Sequence, residues 1–232
     1  MNIAWILLYF LVINGLEIVI FFKVDGIGLT FERIFKAFLL KFLLGAIFAT
    51  FQFWDVSEYL SYFIEPLFGI CLSFLLLRGL PKKLLFFYGL FPIVLMDLFY
   101  RSVSYFVFPF LGQGIVDGDG NPLFLLIMLF VCFIVLVFLK WLDYDFTRLR
   151  KEFLDKGFQQ SLTKINWIMG AYFLVMENLS YFEYAYDIQS KTVRHLILVF
   201  YLLFFMGVIK KLDTYLKDKL HERLDQELVL RY

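Results

Sequence analysis

Long apolar runs separated by short polar breaks cut this chain into segments of a recurring length. A membrane-crossing helix needs about 20 mostly apolar residues. Seven stretches approach that length: Asn2–Phe22, Ile34–Trp54, Tyr59–Leu77, Leu84–Leu111, Pro122–Leu142, Ile165–Tyr184 and Val193–Ile209. The fourth is long enough to tilt, to kink at Pro92 or Pro109, or to end in an outer turn. The third and the seventh are the shortest, so six spans is the alternative count. The pattern predicts an all-α polytopic membrane protein. Its first run begins at residue 3 with neither a basic leader nor a small-residue cleavage site, and is expected to be retained.

Charge in the breaks orients the spans, because basic residues stay on the cytoplasmic side. In or beside the breaks after spans one, three and five stand Lys23, Arg33 and Lys36; Arg78, Lys82 and Lys83; and Lys140, Arg148, Arg150, Lys151, Lys156 and Lys164. The other breaks hold Lys191 and Arg194 among Asp55, Glu58, Asp117, Asp119, Glu183 and Asp187. The N-terminus is therefore expected outside and the C-terminus in the cytoplasm. Trp5 and Trp54 fall at outer boundaries and Trp141 and Trp167 at inner ones, where amphipathic rings prefer to sit. The break from Asp143 to Lys164 predicts a short amphipathic helix with Phe146, Leu149, Phe153 and Leu154 facing lipid.

Composition agrees with this pattern. The 232 residues are 62% hydrophobic and 22% aromatic, with 32 Phe and a mean hydropathy of +0.78, against roughly half apolar for soluble domains. A net charge of +1 without a basic block gives no reason to expect nucleic acid. Cys71 and Cys132 both lie in apolar runs and read as small core residues, not as a disulfide or metal pair.

Ionisable residues inside spans are costly and pair or line a cavity. Asp97 and Arg101 share a helix face at i, i+4 in the outer half of span four. Glu65 falls in the outer half of span three, and Glu177 and Asn178 in that of span six. These residues, with Tyr100 and Tyr181 as aromatic walls beside Tyr105 and Tyr184, form the candidate ligand-binding set. They make either a packing network or a polar cavity open to the outside. Three acids against one Arg call for a protonated carboxyl or a cationic ligand. Glu17 and Lys41, in the inner half of spans one and two, are expected to form a structural pair.

Other motifs carry less. Asp117-Gly-Asp-Gly-Asn121 begins like a calcium loop, but Pro122 stands where Gly is needed and Met128 where Glu is needed. His195 reads as an interfacial residue. His221 reads as a solvated helix residue. No phosphate loop, zinc-protease helix or nucleophile elbow occurs, and neither a cofactor nor a metal is implied.

The chain organises as a span bundle, residues 1–209, and a cytoplasmic helix, residues 210–232. In that helix Leu212, Leu216, Leu220, Leu224 and Leu228 recur every fourth residue, which sweeps around the helix and does not make a heptad seam. Such a helix is marginal alone and is expected to pair with a second copy or to continue.

Seven aromatic-rich spans, an outside N-terminus and a last span running into Lys-Lys-Leu-Asp-Thr-Tyr-Leu-Lys-Asp-Lys-Leu-His-Glu-Arg-Leu resemble the sensor region of peptide-pheromone receptor histidine kinases of Gram-positive bacteria, the AgrC/ComD/BlpH-like quorum-sensing group. The resemblance is one of architecture and tail composition. It implies a homodimer in the plasma membrane that binds an extracellular peptide and signals through the last span. It also implies a phospho-accepting helix and an ATPase domain after the tail, reaching a response regulator; this sequence contains neither. A different class, the substrate-binding membrane subunit of a small-molecule uptake transporter, would use the same outer cavity. It has no need of the leucine-rich tail.

Overall fold

Long apolar runs of helix-compatible residues favour helix, and the computed structural model is all-helical, with no strand among the described residues. Those residues are 3–53, 63–106, 122–142, 146–152, 156–186, 196, 199–200, 203–210, 214–215, 217–218, 221–222 and 225–226. Six long helices follow in order: α1 (Ile3–Asp25), α2 (Phe31–Phe53), α3 (Ile64–Leu76), α4 (Lys82–Phe106), α5 (Pro122–Leu142) and, after a 3-10 turn (Phe146–Arg148) and a short α6 (Leu149–Glu152), α7 (Lys156–Tyr186). A π-helical segment, Leu203–Ile209, packs on α7. By length and composition, Lys82–Val103 is the one helix among the described residues that suffices to cross a membrane. Ile64–Leu76 and Leu125–Lys140 are shorter apolar helices.

α4 is the central element, touching α1, α3, α5 and α7. Leu84, Phe87, Tyr88, Phe91, Val94, Leu95 and Leu98 are buried along one stripe and Leu85, Leu90, Ile93 and Met96 on its other sides, so its middle is enclosed by neighbours with only Phe86 left exposed. Pro92 lies in its interior and removes one donor from its hydrogen-bond ladder.

The closest approach is between α3 and α4. A Cβ on Gly69 would lie 2.2 Å from the Gly89 carbonyl oxygen, and one on Gly89 would lie 2.7 Å from the Ile70 Cα. Backbone meets backbone there, which lets the Ser73 hydroxyl donate across the crossing to the Leu85 carbonyl at 2.7 Å. The two helices form a hairpin whose turn holds Gly79 at φ +95°, a conformation that disfavours any side chain.

The segment after α5 departs from its expected place. Phe146 and Leu149 are buried, not turned outward. Phe146 packs on Phe91 with ring centroids 4.8 Å apart, and its carbonyl accepts from the Tyr88 hydroxyl at 2.6 Å. That buried hydroxyl needs an acceptor, and the turn supplies one. Beyond it, residues 156–164 are the first turns of α7 and no separate surface helix. Cys132 is buried, but Cys71 is exposed on α3, and both are free. The calcium-like stretch 117–121, His195, the five tail leucines, Phe153 and Leu154 lie outside the described residues. His221 is helical and exposed.

Arg150 anchors the turn, donating to the Asp25 backbone carbonyl and lying 5.2 Å from the Tyr88 ring centroid. The Asp25 carboxyl is fully buried, and neither oxygen has a hydrogen-bond partner among the described residues. Burial pushes this carboxyl well above the usual carboxylate range, and the Arg150 charge offsets only part of the shift. A raised folded-state value means that stability falls as pH rises from the ordinary carboxylate range toward it, and that the cost vanishes in acid. Asp25→Asn should therefore raise the thermal unfolding midpoint near pH 7, by about 2–4 °C per kcal/mol recovered, with the gain gone at about pH 4. An equal gain at both pH values would exclude this cause.

A second prediction concerns the crossing. Gly69→Ala forces the α3 and α4 backbones apart and should destabilise by about 1–3 kcal/mol in thermal unfolding. Gly45→Ala is the control: its Cβ meets nothing within 4 Å, so it should cost nothing.

Candidate functional site

A guanidinium buried among apolar helices needs counter-charges, and the helices supply them from two directions. Arg101 is 8% exposed. Its Nε donates to Asp97 Oδ2 at 2.7 Å, the i, i+4 contact within α4, and its Nη2 donates to Glu177 Oε1 on α7 at 2.9 Å. The Tyr172 hydroxyl, also from α7, donates to the same Asp97 oxygen at 2.5 Å. Asp97 thus accepts from both helices. Four side chains form one chain of charge-assisted hydrogen bonds, the strong kind.

Glu65 is placed elsewhere. Its carboxylate accepts from Lys41 of α2, which also donates to Glu17 of α1 at 2.8 Å. Lys41 is buried and lies 4.5 Å from the Phe68 ring centroid, so its ammonium is held by two carboxylates and an aromatic face. The expected Glu17–Lys41 pair forms, with Glu65 as its third member. The reason is length: α3 begins only at Ile64, so Glu65 stands about 16 Å from the helix's other end, level with Lys41, about 15 Å into α2. Asp97 and Arg101 are farther along, about 22 and 28 Å from the start of α4.

Of the remaining candidates, Tyr100 is half-buried near the same end of α4. Asn178 turns its amide back to the Leu174 carbonyl one helical turn earlier. Tyr105, Tyr181 and Tyr184 continue their helices, and their side chains lie outside the described residues. Tyr172 is the member that sequence reasoning missed. Its signal was a polar-tipped ring deep in an apolar run, five residues before Glu177, which spacing alone does not place on one face.

Each network pairs one cation with two acids and so carries one negative charge in excess when all are ionised. Arg101 divides its fork between two carboxylates, Nε to Asp97 and Nη2 to Glu177. No group of three or more metal-ligating side chains occurs among the described residues. A groove of about 770 Å³ opens elsewhere, between α3, α4 and α7, with an apolar lining that includes none of these acids. Comparison with protein-family models, with curated proteins and with solved structures finds no match in any of the three.

What Tyr172 touches on its other side matters. Its ring stands edge-on to Phe200, centroids 5.3 Å apart, in the stretch leading to the π-helical segment. One residue therefore joins the Arg101 network to the helical stretch at Phe200.

Removing one partner of a buried ion network leaves an uncompensated charge and costs about 3–5 kcal/mol, whereas removing all charges together can be neutral. Arg101→Met should thus lower the unfolding midpoint strongly, and Arg101→Met with Asp97→Asn and Glu177→Gln should recover most of the loss. A triple variant no more stable than the single one would refute the coupling.

Proposed function

We propose that this chain is the membrane sensor part of a peptide-pheromone receptor of the two-component type. It crosses the plasma membrane seven times with the N-terminus outside, and passes a signal through its last span to a cytoplasmic helix that pairs with a second copy. Several features support the bilayer reading. The outer face of α2 exposes Phe31, Phe35, Leu39, Phe42, Leu43 and Ile47, a continuous apolar stripe that water would penalise. Phe133, Leu126 and Trp167 do the same on α5 and α7. The basic residues gather in alternate breaks of the chain.

The observation that carries the sensor reading is the Tyr172 bridge. Its hydroxyl is bonded to Asp97 and its ring contacts Phe200. A ligand that competes for Asp97 or Arg101 would release that hydroxyl, and the freed ring is in contact with Phe200. The network offers both signs of contact: Arg101 for a peptide carboxylate, the excess acidic charge for a peptide ammonium. A hydrogen-bonded arrangement that a ligand would break, next to a ring packed on the later segment, supplies the contacts a switch could work through.

The test is a reporter assay with the chain fused to a kinase catalytic domain and the peptide fraction of conditioned medium as stimulus. Arg101→Gln and Asp97→Asn should abolish the response while the protein remains in the membrane. Tyr172→Phe, which keeps the ring and loses the hydroxyl, should raise basal signalling and blunt induction. Full peptide sensitivity in all three variants would overturn the assignment.

A further inference from the structure

We propose that the lateral groove between α3, α4 and α7 holds one acyl chain of an anionic phospholipid of the inner leaflet, with the headgroup phosphate at Lys82 and Lys83. This rests on the bilayer orientation above, but not on the peptide ligand. The groove's volume, about 770 Å³, is that of a site for a substantial small-molecule ligand. Leu67, Ile70, Phe86, Leu90, Trp167 and Phe173 make its walls, so what enters must be apolar along most of its length.

Polarity is confined to one end. Lys82 and Lys83 stand there with Thr163 and Asn166. From Thr163 to Leu174 along α7 the groove runs about 16 Å. That is one leaflet of a hydrocarbon core about 30 Å thick. An apolar slot one leaflet long with cations at its cytoplasmic mouth has the dimensions and charge of a lipid, not of a peptide strand or a partner helix. Basic pockets between helices on this side of a bilayer bind anionic headgroups.

The lysines have reason to want an anion. They are the first two residues of α4, where the helix dipole disfavours positive charge. Both are exposed, and among the described residues neither forms an ion pair. A phosphate at this position is met by two ammonium groups at a helix start whose dipole favours an anion. Gly170 in the α7 wall widens the slot: a Cβ there meets no atom within 4 Å.

Trp167, 74% exposed and lining the groove, is the reporter. The experiment reconstitutes the full chain, with Trp5, Trp54 and Trp141 changed to Phe, into vesicles carrying acyl-brominated phosphatidylglycerol or phosphatidylcholine. Quenching by the anionic lipid should exceed that by the zwitterionic one, with an affinity ratio of roughly fivefold per lysine. Lys82→Gln with Lys83→Gln should erase the difference while leaving insertion intact. Gly170→Leu, which fills the slot, should reduce quenching by both lipids. Equal quenching before and after the lysine changes overturns the proposal and leaves the bilayer reading standing. A Trp167 emission shift that follows protein concentration and not lipid type assigns the groove to a second copy and also overturns it. A protein that does not enter the vesicles at all overturns both.

Discussion

The approach of Gly69 to Gly89 is the contact on which the rest of the arrangement depends. With no Cβ on either side, α3 lies directly on the α4 backbone, and Ser73 can bond across. That seating sets the level of Glu65 against Lys41, and it leaves α3 and α7 standing apart on the same flank of α4, which is what opens the groove. A larger residue at the crossing would move the ion network and the groove together.

Two ion networks with buried cations sit on this frame, and they are built alike: one cation and two carboxylates that come from different helices. Such groups are expensive to bury and are tolerated where every charge has a partner. The Lys41 network ties α1, α2 and α3. The Arg101 network ties α4 to α7 and, through Tyr172, reaches Phe200. Phe91 makes a parallel connection, stacking on Phe204 at 5.4 Å while contacting Phe146. The last segment is therefore in contact with the two helices that hold the Arg101 network.

Much of this was legible in the chain. The positions of α1 to α5 and α7 follow the apolar runs to within a few residues, apart from the long start of α7, because run length and helix propensity are local properties. The Asp97–Arg101 contact follows from i, i+4 spacing, and Glu177 from its depth in the sixth run. Glu65 stands within electrostatic reach of Glu177 but bonds to Lys41, a partner not foreseen because depth was counted from a run expected to begin at Tyr59, whereas the helix begins at Ile64. Phe146 and Leu149 were expected to face outward because an amphipathic pattern does not say which environment its apolar side meets. Tyr172 was missed because a tyrosine in an apolar run looks like any other core ring until its hydroxyl has an acceptor.

The sequence by itself determined the helical class, the approximate course of the first six apolar helices, the uneven placement of basic residues and the identity of the charges that must be buried. These follow from composition and period, which need no knowledge of neighbours. Only the tertiary structure decided which carboxylate answers which cation, that the turn after α5 tucks beneath Tyr88, and that Tyr172 links the Arg101 network to the final segment. Pairing across helices depends on where two backbones can meet, and here that was decided by two glycines twenty residues apart.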